Sequence, residues 1–213
     1  MFHTIIFYHF FYFDFLQKKD TIYILNILID NAFWMTGNIL LGIIAVVLGL
    51  LALKTKNLLQ KGILLFLWLL FIPNTSYMLT DIIHIPKQLH VLEGIYRTIL
   101  ILQYTLVMIV AIATFILALY PFEKILQKEL KQKKTGIIQI ILFFTNFVIA
   151  FGIVLGRIQR TNSWELFTNI GKVIQDGINV LTTKELLLLV VFFGILNNFI
   201  YFSLRGKIKK IIK

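Results

Sequence analysis

Residues 32–53 read AFWMTGNILLGIIAVVLGLLAL, without one ionisable side chain. Wound as an α-helix at 1.5 Å per residue they reach about 33 Å, enough to cross a hydrocarbon core of about 30 Å. A helix suits that medium because it closes its backbone hydrogen bonds internally, where no water is present to close them. Working outward from this run, the same reading gives spans at about 62–80, 98–120, 136–155 and 186–204, each bounded by Lys, Arg, Asp or Glu. Phe2 to Leu16 is short, aromatic and interrupted by Asp14. It is read as a sixth span, with an interfacial helix as the alternative.

Composition agrees with that reading. Of 213 residues 59% are hydrophobic and 15% charged, against roughly a quarter charged in soluble domains, and mean hydropathy is +0.86. Only 3 Pro and 12 Gly are present, without a low-complexity tract or internal repeat, so residues 1–213 are expected to form one polytopic domain. The expected fold is an all-α integral membrane protein: a bundle of five transmembrane helices plus a sixth at the N-terminus, with an amphipathic helix on its outer face. The absence of cysteine excludes disulfides, Cys-ligated zinc or iron–sulfur clusters and thiol chemistry. No haem, flavin or nucleotide motif occurs. The N-terminal run lacks a basic leader and a small-residue cleavage site, so a cleaved signal peptide is not expected.

Charge orients the bundle. Lys54, Lys56 and Lys61 lie in one loop, Lys124, Lys128, Lys131, Lys133 and Lys134 in a second, and Arg205, Lys207, Lys209, Lys210 and Lys213 in the tail, with only Glu123 and Glu129 against them. These segments alternate with the spans so as to share one face, while the basic and acidic residues of the other face balance. The basic face, including the C-terminus, is therefore expected in the cytoplasm. The net charge of +11 then reads as a topology signal and an attraction to anionic lipid. Membrane lipids are the expected partners, and nucleic acid is not.

Two stretches carry polar chemistry. The second span breaks at Pro73-Asn74-Thr75-Ser76 and continues to Pro86, because proline removes a backbone donor and disfavours helix in the residue before it. On a helix beyond the break, Asn74, Tyr77, Asp81 and His84 recur at spacings of three and four and share one face. The fourth span ends in Gly156-Arg157-Ile158-Gln159-Arg160-Thr161-Asn162-Ser163-Trp164-Glu165. Arg157 and Arg160, three apart, offer forked donors for phosphate or carboxylate on the face where the positive-inside rule does not ask for them. Asn162 with Glu165 reads as a helix cap and capping box. From there Trp164, Phe167, Ile170, Ile174 and Ile178 form an apolar stripe, so an interfacial helix is expected over about 163–181. The plainer reading makes these residues anchors or wetted helix ends. Their convergence at one end of the bundle favours one composite site.

The first stretch, Leu67 to Tyr77 with Thr80-Asp81 and His84, followed by Gly156-Arg157 and Arg160 to Glu165, resembles a bacterial membrane-protein family catalogued as domain of unknown function 1361. The resemblance runs from about Ala32 onward and implies a bacterial cytoplasmic-membrane protein without an established activity. Two departures stand out: Glu165 where the family tends to have Asp, and Thr161 where an aromatic residue is common. Glu for Asp keeps the charge and changes its reach.

Three function classes fit. The first is an outer-leaflet site that binds or acts on an anionic lipid headgroup or a phosphorylated or carboxylated small molecule. In it Asp81 and His84 act as an acid–base pair or metal ligands with His90 or Glu165 as a third, and Asn74, Tyr77, Arg157, Arg160, Asn162, Trp164 and Glu165 bind the substrate. No metal motif is matched. The second is a transporter or channel, disfavoured because the spans hold amides and hydroxyls but no charge at mid-depth. The third is a scaffold or subunit, for which Gly152 and Gly156 offer a small-xxx-small pattern suited to homo- or hetero-oligomers through membrane helices.

Overall fold

Among the described residues five helices are long and apolar enough to cross a membrane: Ile22–Lys54, Leu58–Leu89, Ile95–Glu129, Thr135–Gln159 and Lys184–Gly206. A computed structural model describes residues 2–130 and 135–211, with side chains for 22–130 and 135–206. The expectation of a sixth span at residues 2–16 lies outside the residues described with their side chains. Among the described residues all regular structure is helical and there is no strand. The fold is an all-α membrane bundle.

The helices are α1 (Phe2–Lys54), α2 (Leu58–Phe71), α3 (Pro73–Tyr77), α4 (Ile85–Leu89), α5 (Ile95–Glu129), α6 (Thr135–Val154), α7 (Glu165–Thr168), α8 (Ile170–Thr182) and α9 (Lys184–Ile211). A 3₁₀ segment, Met78–His84, joins α3 to α4, and one π turn, Leu155–Gln159, ends α6. Over its 33 residues from Ile22 to Lys54, α1 is about 50 Å long. It therefore overshoots the hydrocarbon core and adds a layer beyond it.

Two cores follow from this length. Near the basic end, Trp68, Phe115, Leu119, Leu142, Ile149 and Tyr201 pack together, and the Trp68 indole donates to the Ala118 carbonyl at 2.9 Å. A Cβ on Gly49 would stand 3.1 Å from that same carbonyl oxygen and 3.3 Å from the indole, so glycine lets α1 lie against both. At the other end Leu28, Met35, Met78, Leu92, Leu100 and Tyr104 form the second core. α8 is moored by Val180 against Ala150, Val154 and Val190.

The amides inside the spans join helices to one another. Asn146 donates to Asn198 at 2.9 Å between α6 and α9, and Gln103 donates to the Leu28 carbonyl at 3.0 Å between α5 and α1. At the basic end Lys61 and Glu129 pair at 2.8 Å, placing the start of α2 beside the end of α5. Buried Glu123 accepts from Tyr201 and Gln127.

Three local differences from the sequence reading have physical causes. The helix expected over 163–181 is two helices broken at Asn169, whose φ of −151° is extended and whose side chain caps α8 by accepting from Lys172 N–H. The capping box forms in half: the Glu165 carboxylate accepts from Asn162 N–H at 2.6 Å, while the N-cap position itself falls on Trp164. Gly152 packs on the Pro73 ring and Gly156 faces the Tyr77 ring, so the small-xxx-small pattern serves packing within the chain.

Candidate functional site

Pro73 resets the backbone of the second span. It starts α3 at the N-terminal turn, where a missing N–H costs nothing. Beyond it the chain tightens to 3₁₀, in which residues three apart eclipse. Asp81 and His84 therefore stand on one edge, with Tyr77 a turn before them. At the same end of the bundle the π turn closes α6, and its wider winding swings Arg157 towards that edge.

Arg157 is the centre of the arrangement. One terminal nitrogen donates to Asp81 Oδ1 at 2.8 Å and to Tyr77 Oη at 3.2 Å. The other donates to the Thr80 carbonyl at 3.0 Å and lies 3.2 Å from His84 Nε2. The guanidinium also lies 5.1 Å from the centre of the Tyr77 ring. Asp81 is 1% exposed, so its carboxylate is removed from solvent, and Arg157 supplies the counter-charge that makes this burial tolerable. Asn38 from α1 approaches the second carboxylate oxygen at 3.5 Å.

A guanidinium has donors only and keeps its charge. The two groups it meets beside the carboxylate are consequently fixed as acceptors towards it. His84 must present the Nε2 lone pair, which leaves its proton on Nδ1. Tyr77 Oη accepts from Arg157, which leaves the phenolic O–H free to donate elsewhere. Arg157 thus leaves a phenol and an imidazole each with one proton to donate, while its own charge is matched by Asp81.

The same geometry bears on metal binding. The guanidinium sits between Asp81 and His84, where a shared divalent ion would have to lie. His90 and Glu165 do not complete a ligand set, since among the described residues no three His, Cys, Asp or Glu are grouped to hold a metal. Asp81 and His84 also meet through Arg157, with no hydrogen bond between them, so a direct acid–base relay is not built here.

These groups line a cavity of about 390 Å³ bounded by Trp34, Asn38, Tyr77, Asp81, His84, Gln88 and Arg157. Its rear wall is a second polar network. Asn31 and Gln88 exchange paired amide hydrogen bonds at 2.8 and 3.0 Å, Tyr104 donates to Gln88 at 3.2 Å, and the Trp34 indole donates to Asn31 at 3.1 Å. Sequence reasoning did not single out Asn31, Trp34, Gln88 or Tyr104 as site residues. Their signal was isolated amides and aromatic rings, which read equally well as helix packing.

Five other residues expected at the site are placed elsewhere. Asn74 donates to the Phe71 carbonyl at 3.0 Å and, with Asn162 and Trp164, lines a neighbouring cavity of about 330 Å³. Arg160 does not share a face with Arg157. It is exposed and adopts the left-handed conformation, φ 54°, that ends the helix, with its own N–H and that of Thr161 both returning to the Leu155 carbonyl. Glu165 pairs with Lys172 at 2.7 Å. That hydrogen bond, with the one from Asn162 N–H, holds its carboxyl below its ordinary range. The site brought together from the sequence reading is Tyr77, Asp81, His84 and Arg157.

A family model described as protein of unknown function (DUF1361) matches residues 37–200, a stretch that contains all four of these residues. No curated protein and no solved structure matches the chain.

Proposed function

Because the chain belongs to the family of proteins of unknown function DUF1361, no inherited activity constrains the site, and we propose on its geometry that it binds the phosphate or carboxylate of an anionic ligand. One observation carries this reading: Arg157 occupies the acceptor side of both Tyr77 and His84. A cavity that offers a phenolic O–H and an imidazole N–H, beside a guanidinium whose terminal N–H groups are already engaged, suits a group that is all acceptor oxygens. Asp81 tempers the charge, so recognition rests on directed hydrogen bonds more than on net attraction, and binding takes precedence over acid–base chemistry.

Orientation belongs to the same proposal. The described basic residues of the two loops and the tail, Lys54, Lys56, Lys61, Lys124, Lys128 and Arg205, stand at the opposite end of the bundle, and the cavity in this reading opens on the extracytoplasmic side of the membrane. Single cysteines are readily introduced into a cysteine-free chain. A cysteine at Gln88 should react with an impermeant maleimide added to intact cells and one at Gln127 should not; the reverse pattern overturns the orientation.

The headgroup reading is tested by native mass spectrometry of the full chain released from nanodiscs holding equal phosphatidate and diacylglycerol. Phosphatidate should be retained selectively, and Tyr77→Phe and Arg157→Lys should each weaken the selectivity, since one loses a donor and the other the planar fork. Equal retention of the two lipids by the unaltered protein refutes the reading.

A further inference from the structure

The smaller cavity adjoins the polar one: Asn38 and Tyr77 line both. Its remaining wall is mainly apolar, with Leu41 from α1, Leu69 and Leu70 from α2, Leu155 at the end of α6, and Leu166 and Val173 from α7 and α8. Ser163 donates to the Leu70 carbonyl at 2.9 Å, pinning the segment before α7 to α2 across this cavity. An apolar chamber sharing a wall with a donor-lined one has the polarity profile of a molecule with a charged head and a hydrocarbon tail.

The outer side of the chamber shows what reaches it. On α7 and α8, Trp164, Phe167, Ile170, Ile174 and Ile178 are 55–68% exposed. The charged groups of these helices are paired, Lys172 with Glu165 and Asp176 with Thr161. A helix pair with its apolar residues outward and its charges paired is suited to meet lipid. The chamber, lined by Leu166 and Val173 of these same helices, lies beside that apolar face.

Resting on the headgroup reading above, we infer that the ligand is a membrane lipid, with its anionic head in the Arg157 cavity and its tail in the chamber between α2 and α7–α8. Tyr77 stands where head joins tail, its ring towards the guanidinium and Gly156 and its hydroxyl towards the head.

The test uses the full chain in phosphatidylcholine nanodiscs containing a phosphatidate with a photoreactive diazirine midway along its tail. Irradiation should label peptides spanning residues 66–77 and 152–173. Unlabelled phosphatidate should suppress that labelling, and glycerol 3-phosphate at equal concentration should not. Val173→Phe, which fills the tail chamber and leaves the polar cavity intact, should lower labelling about tenfold, equivalent to about 1.4 kcal/mol. Labelling confined to outward residues such as Phe33, Phe144 and Phe199 shows ordinary surrounding lipid and overturns the inference, whether or not the variant folds. Competition by glycerol 3-phosphate equal to that by phosphatidate, with Val173→Phe unchanged, also overturns it while sparing the headgroup site. If phosphatidate is retained no better than diacylglycerol, the headgroup reading fails and the lipid inference with it.

Discussion

Replacing Arg157 with Met keeps a long side chain beside α3 but removes the only cation in hydrogen-bond contact with Asp81 among the described residues. The Asp81 side chain is 2% exposed and the Arg157 side chain 18%, so the carboxylate gains little solvation when its partner goes. Truncating one member of such a buried pair costs about 3–5 kcal/mol, because the other charge is left uncompensated. Asp81→Asn should cost less, about 1.5–3 kcal/mol for a charged hydrogen bond, since Arg157 keeps Tyr77 Oη, the Thr80 carbonyl and the partial exposure of its own group. The double variant has no buried charge. It should be less destabilised than the sum of the singles, with an interaction energy of at least about 2 kcal/mol, well above the roughly 0.5 kcal/mol scatter of independent sites. Reversible unfolding in mixed micelles, followed by circular dichroism as the fraction of denaturing detergent rises, gives the four free energies. Additivity within that scatter means that Asp81 does not depend on Arg157, and the arrangement described above is wrong.

Gly152→Ala should destabilise by roughly 1–3 kcal/mol, because its Cβ would stand 2.5 Å from Pro73 Cγ in a ring that cannot rotate away. Gly136→Ala, with nothing within 4 Å, should be neutral or slightly stabilising in the same titration. Arg160→Gly relieves a left-handed residue, φ 54°, and should stabilise by about 1 kcal/mol while leaving phosphatidate retention within about twofold, a change worth only about 0.4 kcal/mol; a larger loss returns Arg160 to the site. The Glu165 carboxyl is held below its ordinary value of 4.5 by the Lys172 hydrogen bond and the Asn162 N–H. Its contribution is complete above that value and is lost as pH falls through the lowered one. Hydrogen exchange of residues 161–168 should therefore differ between the native chain and Glu165→Gln at pH 7 and at pH 4.5, and the difference should close only in stronger acid.

The spans were legible because lipid imposes one rule on every position: long apolar runs with no charge at mid-depth. The break at Pro73 was legible for an equally local reason. Asp81 and His84 could be grouped because a spacing of three survives the change from α to 3₁₀ winding, and Tyr77 because it ends the α-helical turn just before it. Arg157 and Arg160 could not be told apart, since nothing in Gly156 to Arg160 announces a π turn followed by a left-handed residue that is not glycine. Asn31, Trp34, Gln88 and Tyr104 come from three helices that converge only through tertiary packing. A single amide or aromatic ring in an apolar run has no periodicity to betray its partner. The break at Asn169 illustrates a competition: the apolar stripe from Trp164 to Ile178 fits one continuous helix, but the Asn169 side chain satisfies α8 as a cap and ends α7.

The most direct measurement is an electron cryomicroscopy map of the full chain in nanodiscs containing phosphatidate, at a resolution that shows side chains. A phosphate should lie within about 2.7–3.2 Å of the Tyr77 hydroxyl and His84 Nδ1, beside an Arg157 still paired with Asp81, and tail density should continue past Asn38 towards Leu70 and Val173. A cavity holding only water, with phosphatidate ordered solely on the outward faces of the bundle, contradicts the headgroup site.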